Sequence, residues 1–156
     1  MHSDLLDILR VFNLYKVEYL IIGGYAVAFH AEPRFTKDLD ILVRASPANA
    51  RRVFQALRAF GAPLSGLTET DFQQAGHFYQ LGAPPLRIDI LMSIEGTTFG
   101  DAWDHRIESM IEDVKALFIS REDLISAKKA TGRPQDLLDV QSLISSRPDK
   151  NSNDEL

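Results

Sequence analysis

The sequence contains no cysteine, which excludes disulfides, thiolate metal sites and cysteine nucleophiles. It also lacks an apolar run approaching the roughly 18 residues needed to cross a bilayer. Its first residues, MHSDLLDILRVF, carry acidic side chains where a signal peptide needs basic ones. No serine stands in a Gly-x-Ser-x-Gly setting, so a hydrolase triad has no support. From these absences we expect a cytoplasmic protein with no membrane partner.

Positive charge is scarce, with 17 Lys and Arg against 22 Asp and Glu and a net charge of -5. This balance argues against a general nucleic-acid coat, although it is compatible with a local basic groove. The 156 residues, 45% apolar and 25% charged, are typical of one soluble globular domain. We assign residues 1–146 to that domain, and we expect the polar residues 147–156 to form a flexible tail.

Hydrophobic periodicity and capping signals predict alternating helices and strands. Ser3 is a candidate N-cap for the first helix, and Ser46, Pro47 and Gly61 bracket the clearest helix. The predicted helices cover residues 3–15, 24–31, 46–61, 120–130 and 134–144. The predicted strands cover residues 18–22, 38–43, 77–82, 86–92 and 112–120. This order predicts an α/β (α+β) fold, a small mixed sheet with helices packed mainly on one face and a C-terminal helical segment.

The second predicted strand, DLDILV, contains two aspartates at alternate positions, Asp38 and Asp40. Because strand side chains alternate, both project from one face, with Cα atoms about 6.5 to 7 Å apart. Two carboxylates held this close repel each other unless a cation lies between them, and an all-oxygen ligand set favours Mg²⁺ or Mn²⁺. The alternative is that both simply lie on a solvated strand face.

Two further features support a site. Asp89 is embedded in LRIDIL, and if that strand neighbours the Asp38 strand, three carboxylates meet and can hold two metal ions. Otherwise Asp89 pairs with Arg87. Gly23 and Gly24 close an apolar strand and open a helix, where glycine lets a phosphate approach backbone N–H groups. An ordinary tight turn is the alternative for this pair.

Taken together, these residues resemble the nucleotidyltransferase superfamily, which has a polymerase-beta-like fold. The likeness is carried by Gly-Gly after a strand, thirteen further residues, Asp38-Leu39-Asp40-Ile41, and a later strand aspartate. RFTKDLDILV and FISREDLISAKKATGRPQDLLDV are similar to stretches of its minimal nucleotidyltransferases and AbiEii-type toxin–antitoxin proteins. The resemblance runs from about Tyr19 to Val140.

The resemblance implies a function and a set of roles. Asp38, Asp40 and Asp89 would ligate the metals and be catalytic together with Lys128. Gly23 and Gly24 would cradle the β- and γ-phosphates of an NTP. A hydroxyl would attack the α-phosphorus, and pyrophosphate would leave.

Other residues are candidates for nucleotide binding. The loop residues Arg34 and Lys37 would bind or steer the triphosphate, and Thr36 would lie on the metal face. Asp136 would orient Lys128 or Arg133. The alternatives are ordinary loop solubility for the basic loop residues and a helix-surface ion pair for Lys128 and Asp136.

The acceptor is the open part of the prediction. A tRNA 3′ end, a hydroxyl of a HEPN-type or other cognate partner protein, and a small molecule all suit such a centre, in a prokaryotic toxin–antitoxin or phage-defence setting. A non-catalytic NTP-binding or antitoxin-like module of the same fold is the second interpretation. A two-metal nuclease is disfavoured because the Gly-Gly turn suits a triphosphate.

Overall fold

The computed structural model describes residues 1–33, 35–83 and 85–146. Its helices are α1 (Ser3–Leu14), α2 (Gly23–His30), α3 (Pro47–Phe60), α4 (Phe99–Asp104), α5 (Arg121–Thr131) and α6 (Pro134–Ser145), with a 3-10 helix at Glu69–Gln73. Its strands are β1 (Tyr19–Ile22), β2 (Asp38–Val43), β3 (Phe78–Ala83), β4 (Leu86–Leu91), β5 (Ile107–Ile111) and β6 (Val114–Phe118).

The strands form one six-stranded mixed sheet in the order β3-β4-β2-β1-β6-β5. Strand β1 pairs antiparallel with β2 and parallel with β6, and β2 pairs parallel with β4. The outer strands β3 and β5 complete antiparallel pairs with β4 and β6. The predicted fold class, a mixed α/β sheet with helices, is confirmed.

Three elements were not predicted, the short helix α4, the edge strand β5 and the 3-10 helix at Glu69–Gln73. Strand β5 is only partly buried along its length, so its pattern lacks the strong alternation of a strand with one core face. The turn that joins it to β6 places Glu112 at φ 54° without a glycine, so the usual sequence signal for a hairpin is missing.

Two helix starts also differ from prediction. Helix α1 is capped by His2, whose Nδ1 accepts a hydrogen bond from the Asp4 N–H at 3.1 Å, and not by Ser3. Helix α2 begins at Gly23, one residue earlier than expected. The predicted tail, residues 147–156, lies outside the described residues. Within the described part of the chain, no helix is both long and apolar enough to cross a membrane.

The hydrophobic core lies between the sheet and the helices. The apolar face of α1, formed by Leu5, Ile8, Leu9 and Phe12, is fully buried, and α1 packs against α3 and β6. Helix α2 contacts β1 and β2, and it also contacts the C-terminal pair α5 and α6. The C-terminal helices are therefore held beside the β1–α2 turn.

A buried amide ties α3 to the centre of the sheet. The Asn49 side chain has no exposed surface. Its Oδ1 accepts from the Glu18 N–H at 2.8 Å, and its Nδ2 donates to the carbonyl oxygens of Glu18 at 3.0 Å and Arg44 at 2.8 Å. Asn49 thus satisfies backbone groups that flank β1 and β2.

Asn49→Ala should lower the free energy of unfolding by about 2 to 4 kcal/mol, because it removes three hydrogen bonds to part-buried backbone groups of Glu18 and Arg44. Urea unfolding measures the change. Gln55→Ala, at an exposed position of the same helix, should change it by less than about 0.5 kcal/mol. Equal effects of the two substitutions would contradict this role of Asn49.

Candidate active site

The register between β2 and β4 brings three carboxylates together. Asp40 pairs directly with Asp89, and Asp38 pairs with Arg87. On the opposite face of β2, Leu39, Ile41 and Val43 are fully buried, so Asp38 and Asp40 must project away from that core. The expectation that the Asp89 strand neighbours the Asp38 strand is therefore met. The roles of these residues as metal ligands and catalytic groups stay a prediction.

Gly23 leaves room for the Asp40 carboxyl group. It adopts φ +68°, and a Cβ built on it would overlap the Asp40 carboxylate. Gly23 also opens α2, and the residue before it, Ile22, gives no side-chain cap. The first turn of α2, which includes Gly24, is therefore open to an anion that accepts from backbone N–H groups.

Arg87 lies between two of the three carboxylates. Its Nη2 is 3.1 Å from Asp38 Oδ2, and its Nε is 3.3 Å from Asp89 Oδ1. Nη2 also donates to Asp89 Oδ2 at 3.4 Å. The Nε–Oδ1 approach lacks hydrogen-bond geometry, so both buried atoms have no hydrogen-bond partner among the described residues. One guanidinium thus spans the two carboxylates but satisfies them incompletely.

Asp40 is the carboxylate most affected by its surroundings. Burial, followed by the charge of Asp89 and a hydrogen bond to it, raises the pKa of Asp40 to about 7. The charge of Asp38 raises this pKa further, and only Arg87 opposes the rise. Near neutral pH, a large fraction of Asp40 is therefore protonated.

The donor set suits a hard divalent cation. Three carboxylates on adjacent strands offer only oxygen ligands, and one oxygen of Asp89 accepts no hydrogen bond. Among residues 1–33, 35–83 and 85–146, no three His, Cys, Asp or Glu side chains are yet arranged as a metal-binding group. The Arg87 guanidinium is the positive charge that contacts Asp38 and Asp89 in this arrangement.

A second charged cluster lies on α5, on α6 and in the turn between them. Lys128 Nζ lies 3.0 Å from Asp139 Oδ2 and 3.5 Å from Asp136 Oδ1. Arg133 Nε donates to Asp136 Oδ2 at 2.8 Å, as does Thr131 Oγ1. Both aspartates are buried. Asp136 contacts both Lys128 and Arg133, and its role in orienting them stays a prediction.

This network controls the charge of Asp136. Burial raises the pKa of its carboxyl group, but hydrogen bonds from Arg133 and Thr131 and the charge of Lys128 outweigh burial and lower it well below the ordinary range. Asp136 is therefore ionised at neutral pH. Its charge holds Lys128 toward the site.

A cleft of about 800 Å³ joins the two clusters. Six acidic and three basic side chains line it, so its wall attracts cations. The predicted residues that line it are Gly23, Gly24, Asp38, Asp40, Asp89, Lys128 and Asp136. A mostly apolar stretch of the wall consists of Leu91, Ile94, Leu124 and Ala127.

Several polar residues of the cleft were not predicted, among them Gln80, Ser93 and Glu95. Gln80 pairs with Asp89 across the β3–β4 ladder, so the register of that hairpin would have identified it. Ser93 and Glu95 follow directly after the Asp89 strand, and their closeness to that strand was the available signal.

The loop before β2 gives a different result. Thr36 and Lys37 are not among the residues that line the cleft. The Thr36 carbonyl accepts a hydrogen bond from the Tyr25 hydroxyl at 3.1 Å, and Lys37 is exposed. Arg34 lies outside the described residues. Nucleotide binding by these three residues stays a prediction.

Solved structures with this fold define its class. A lincosamide antibiotic adenylyltransferase bound to lincomycin is 20% identical, with a TM-score of 0.61 over 93% of this chain and 97% of its own. A putative nucleotidyltransferase from Thermotoga maritima is 18% identical, with a TM-score of 0.59 over 92% and 91%. An antigenic nucleotidyltransferase-like protein from Paracoccidioides brasiliensis is 19% identical, with a TM-score of 0.54 over 92% and 77%. The fold is thus that of the nucleotidyltransferases.

The family follows from the sequence. Residues 5–148 match the model of a family described as nucleotidyltransferase of unknown function (DUF6036). The chain belongs to this family, which places it in the superfamily that the sequence motifs resemble. No curated protein matches the chain.

Gly23→Ala should lower the free energy of unfolding by about 2 to 3 kcal/mol, because it adds both an unfavourable positive φ and an overlap with Asp40. Gly66→Ala is the matched control, since Gly66 has φ +79° but open space around it. It should cost about 1 kcal/mol, from the backbone term alone. Thermal unfolding of both variants measures the difference, and equal losses would contradict the contact with Asp40.

Asp40→Asn should stabilise the metal-free protein at pH 8 by about 2 kcal/mol, because it removes a half-buried charge beside Asp89. The pKa of Asp40 in the fold, about 7, lies above its ordinary value of 3.8. Its contribution to stability is therefore present below pH 4 and is lost as the pH rises through about 7. Urea unfolding in EDTA at pH 5 and pH 8 tests this. A difference between the two proteins that does not grow with pH would contradict it.

Proposed function

We propose that this protein transfers an NMP group from an NTP to a hydroxyl acceptor. The observation that carries the proposal is the register of β2 and β4, which sets Asp38, Asp40 and Asp89 on one wall of a cleft that also contains the Gly23 turn. An anion-binding turn and a cation-attracting carboxylate cluster in one cleft are what a metal–triphosphate complex requires. Membership of a nucleotidyltransferase family supports the same conclusion.

The residues of the cleft have separate roles in this proposal. Mg²⁺ or Mn²⁺ bound by Asp38, Asp40 and Asp89 would supply stabilisation of the charge on the attacking and leaving oxygens. The N–H groups at the start of α2, near Gly23 and Gly24, bind phosphate oxygens. Lys128, held by Asp136 and Asp139, places a positive charge opposite the carboxylates, where it neutralises a phosphate.

The group transfer balances as one substitution at phosphorus. The acceptor oxygen forms a bond to the α-phosphorus, and the bond from that phosphorus to the bridging oxygen of the β-phosphate breaks. Pyrophosphate leaves with the electron pair of that bond, and the proton of the acceptor hydroxyl passes to the Asp89 carboxylate. Asp89 lines the cleft, and we therefore place the proton on it.

For the acceptor, we propose the 3′ end of a tRNA or a hydroxyl of a cognate, HEPN-type partner protein, within a toxin–antitoxin or phage-defence system. The support is the likeness of RFTKDLDILV and the α5–α6 segment to the AbiEii-type and minimal nucleotidyltransferases. The chain also shares its fold with a lincosamide adenylyltransferase. A small hydroxyl compound is therefore the third acceptor class to compare. All three belong in the same assay.

Transfer of label from α-³²P-NTP should occur in Mg²⁺ with at least one acceptor class, namely total tRNA, proteins of the same operon, or small hydroxyl compounds. Asp40→Asn and Asp89→Asn should each reduce it by about a thousandfold or more, since each removes a carboxylate from the metal site. Asp113→Asn, an exposed aspartate paired with Arg10 on the surface, should leave it within about twofold.

The assay also tests the alternative, a non-catalytic NTP-binding or antitoxin-like module. Binding of Mg²⁺–NTP without transfer to any acceptor would favour that module. Release of cleaved nucleic acid in place of pyrophosphate would indicate a nuclease. Neither binding nor transfer would overturn the proposal as a whole.

A further inference from the structure

We propose that Arg87 is an internal counter-cation that competes with the divalent metal for Asp38 and Asp89, so that loading the site requires the guanidinium to leave. The inference rests on the proposed function, because it takes the three carboxylates to be the metal site. It assigns a role in that site to a residue outside the carboxylate set.

The position of Arg87 in the sheet supports this role. Arg87 precedes Asp89 by two residues on β4, so both side chains project from the same face. Its register partner on β2 is Asp38. A long cationic side chain is therefore placed among the three carboxylates by the same strand pairing that assembles them.

The distances from Arg87 to the carboxylates also support this role. The guanidinium reaches Asp38 Oδ2 at 3.1 Å and Asp89 Oδ1 at 3.3 Å. A divalent ion held by these aspartates would bind their carboxylate oxygens at about 2.0 to 2.6 Å. The ion and the guanidinium would then repel each other, because their like charges would be separated by only a few ångströms.

The pairing of Arg87 with the carboxylates is incomplete. Arg87 Nε and Asp89 Oδ1 are both buried, yet neither has a hydrogen-bond partner within the described residues. Among the described ion pairs, none joins Arg87 to Asp40. A bound metal ion would satisfy the carboxylate oxygens that Arg87 leaves unsatisfied, and this makes the exchange favourable.

The Arg87 side chain also has space into which it can move. Arg87 is 32% exposed and lines the cleft. When the carboxylates are neutralised by metal, its guanidinium can turn into the cleft without crossing the core. The protein thus carries a cation of its own beside these carboxylates.

Arg87→Gln should bind Mn²⁺, used alone as the probe, at least about tenfold more tightly than the unmodified protein at low salt, because a competing unit charge is removed. The loss of the free-Mn²⁺ electron paramagnetic resonance signal measures binding without any nucleotide or acceptor. Arg87→Lys keeps a positive charge but cannot bridge two carboxylates at once, so it should give an intermediate affinity.

Arg44→Gln is the matched control. Arg44 is 31% exposed and pairs through its fork with Glu18, at 3.2 and 3.3 Å, outside the cleft. Its substitution should leave the Mn²⁺ affinity within about twofold. Circular dichroism in EDTA shows whether each variant is folded, and Arg87→Lys keeps the test decisive if Arg87→Gln does not fold.

Mn²⁺ affinity that is unchanged or weaker in both Arg87 variants would overturn the inference and would indicate that Arg87 holds the carboxylates in place for the metal. The assay for label transfer is independent of this result. Transfer with unchanged Mn²⁺ affinity would reject the competition alone. Tighter Mn²⁺ binding in a protein that transfers no label would reject the proposed function and keep the competition.

Discussion

The repulsion between Asp40 and Asp89 is the constraint on which the rest of the site depends. Burial of Asp40 is the larger part of the cost, and parallel pairing of β2 with β4 adds to it by holding the two carboxylates side by side. The register cannot slip to relieve it. A shift of one residue would turn the fully buried Leu39, Ile41 and Val43 to the cleft and the aspartates into the core. The fold therefore favours positive charge beside Asp40 and Asp89.

The surrounding elements supply space and positive charge to this site. Gly23 supplies the space that the Asp40 carboxylate occupies, and Arg87 supplies a partial counter-charge from within the sheet. Helices α5 and α6 supply a second ionic cluster in which Lys128 is held by two buried aspartates. Because the cleft wall has twice as many acidic as basic side chains, these internal cations leave an excess of negative charge. Metal ions are the partners that such an excess favours.

Much of the fold could be predicted because its signals are local. The central strands are apolar runs, and α3 has a serine cap, a proline at its start and a glycine at its end. Elements that were missed, such as α4 and β5, are short or half-exposed, and the turn after β5 uses Glu112 where glycine would have been a signal. In the site, the aspartates and glycines stood out because they interrupt apolar runs. Gln80 and the double pairing of Arg87 did not, since polar residues on exposed strand faces are common.

The sequence by itself determined which residues share a face and which chemistry they offer. Alternation within one strand places Asp38 and Asp40 together because the side-chain period of a strand is two, and the residue types alone make the set a site for hard cations. Only the tertiary structure decided which strands are neighbours. It put β4 beside β2 in a register that sets Asp89 against Asp40 and Arg87 against Asp38. Pairing between distant segments depends on the packing of the whole core, and no local pattern encodes it.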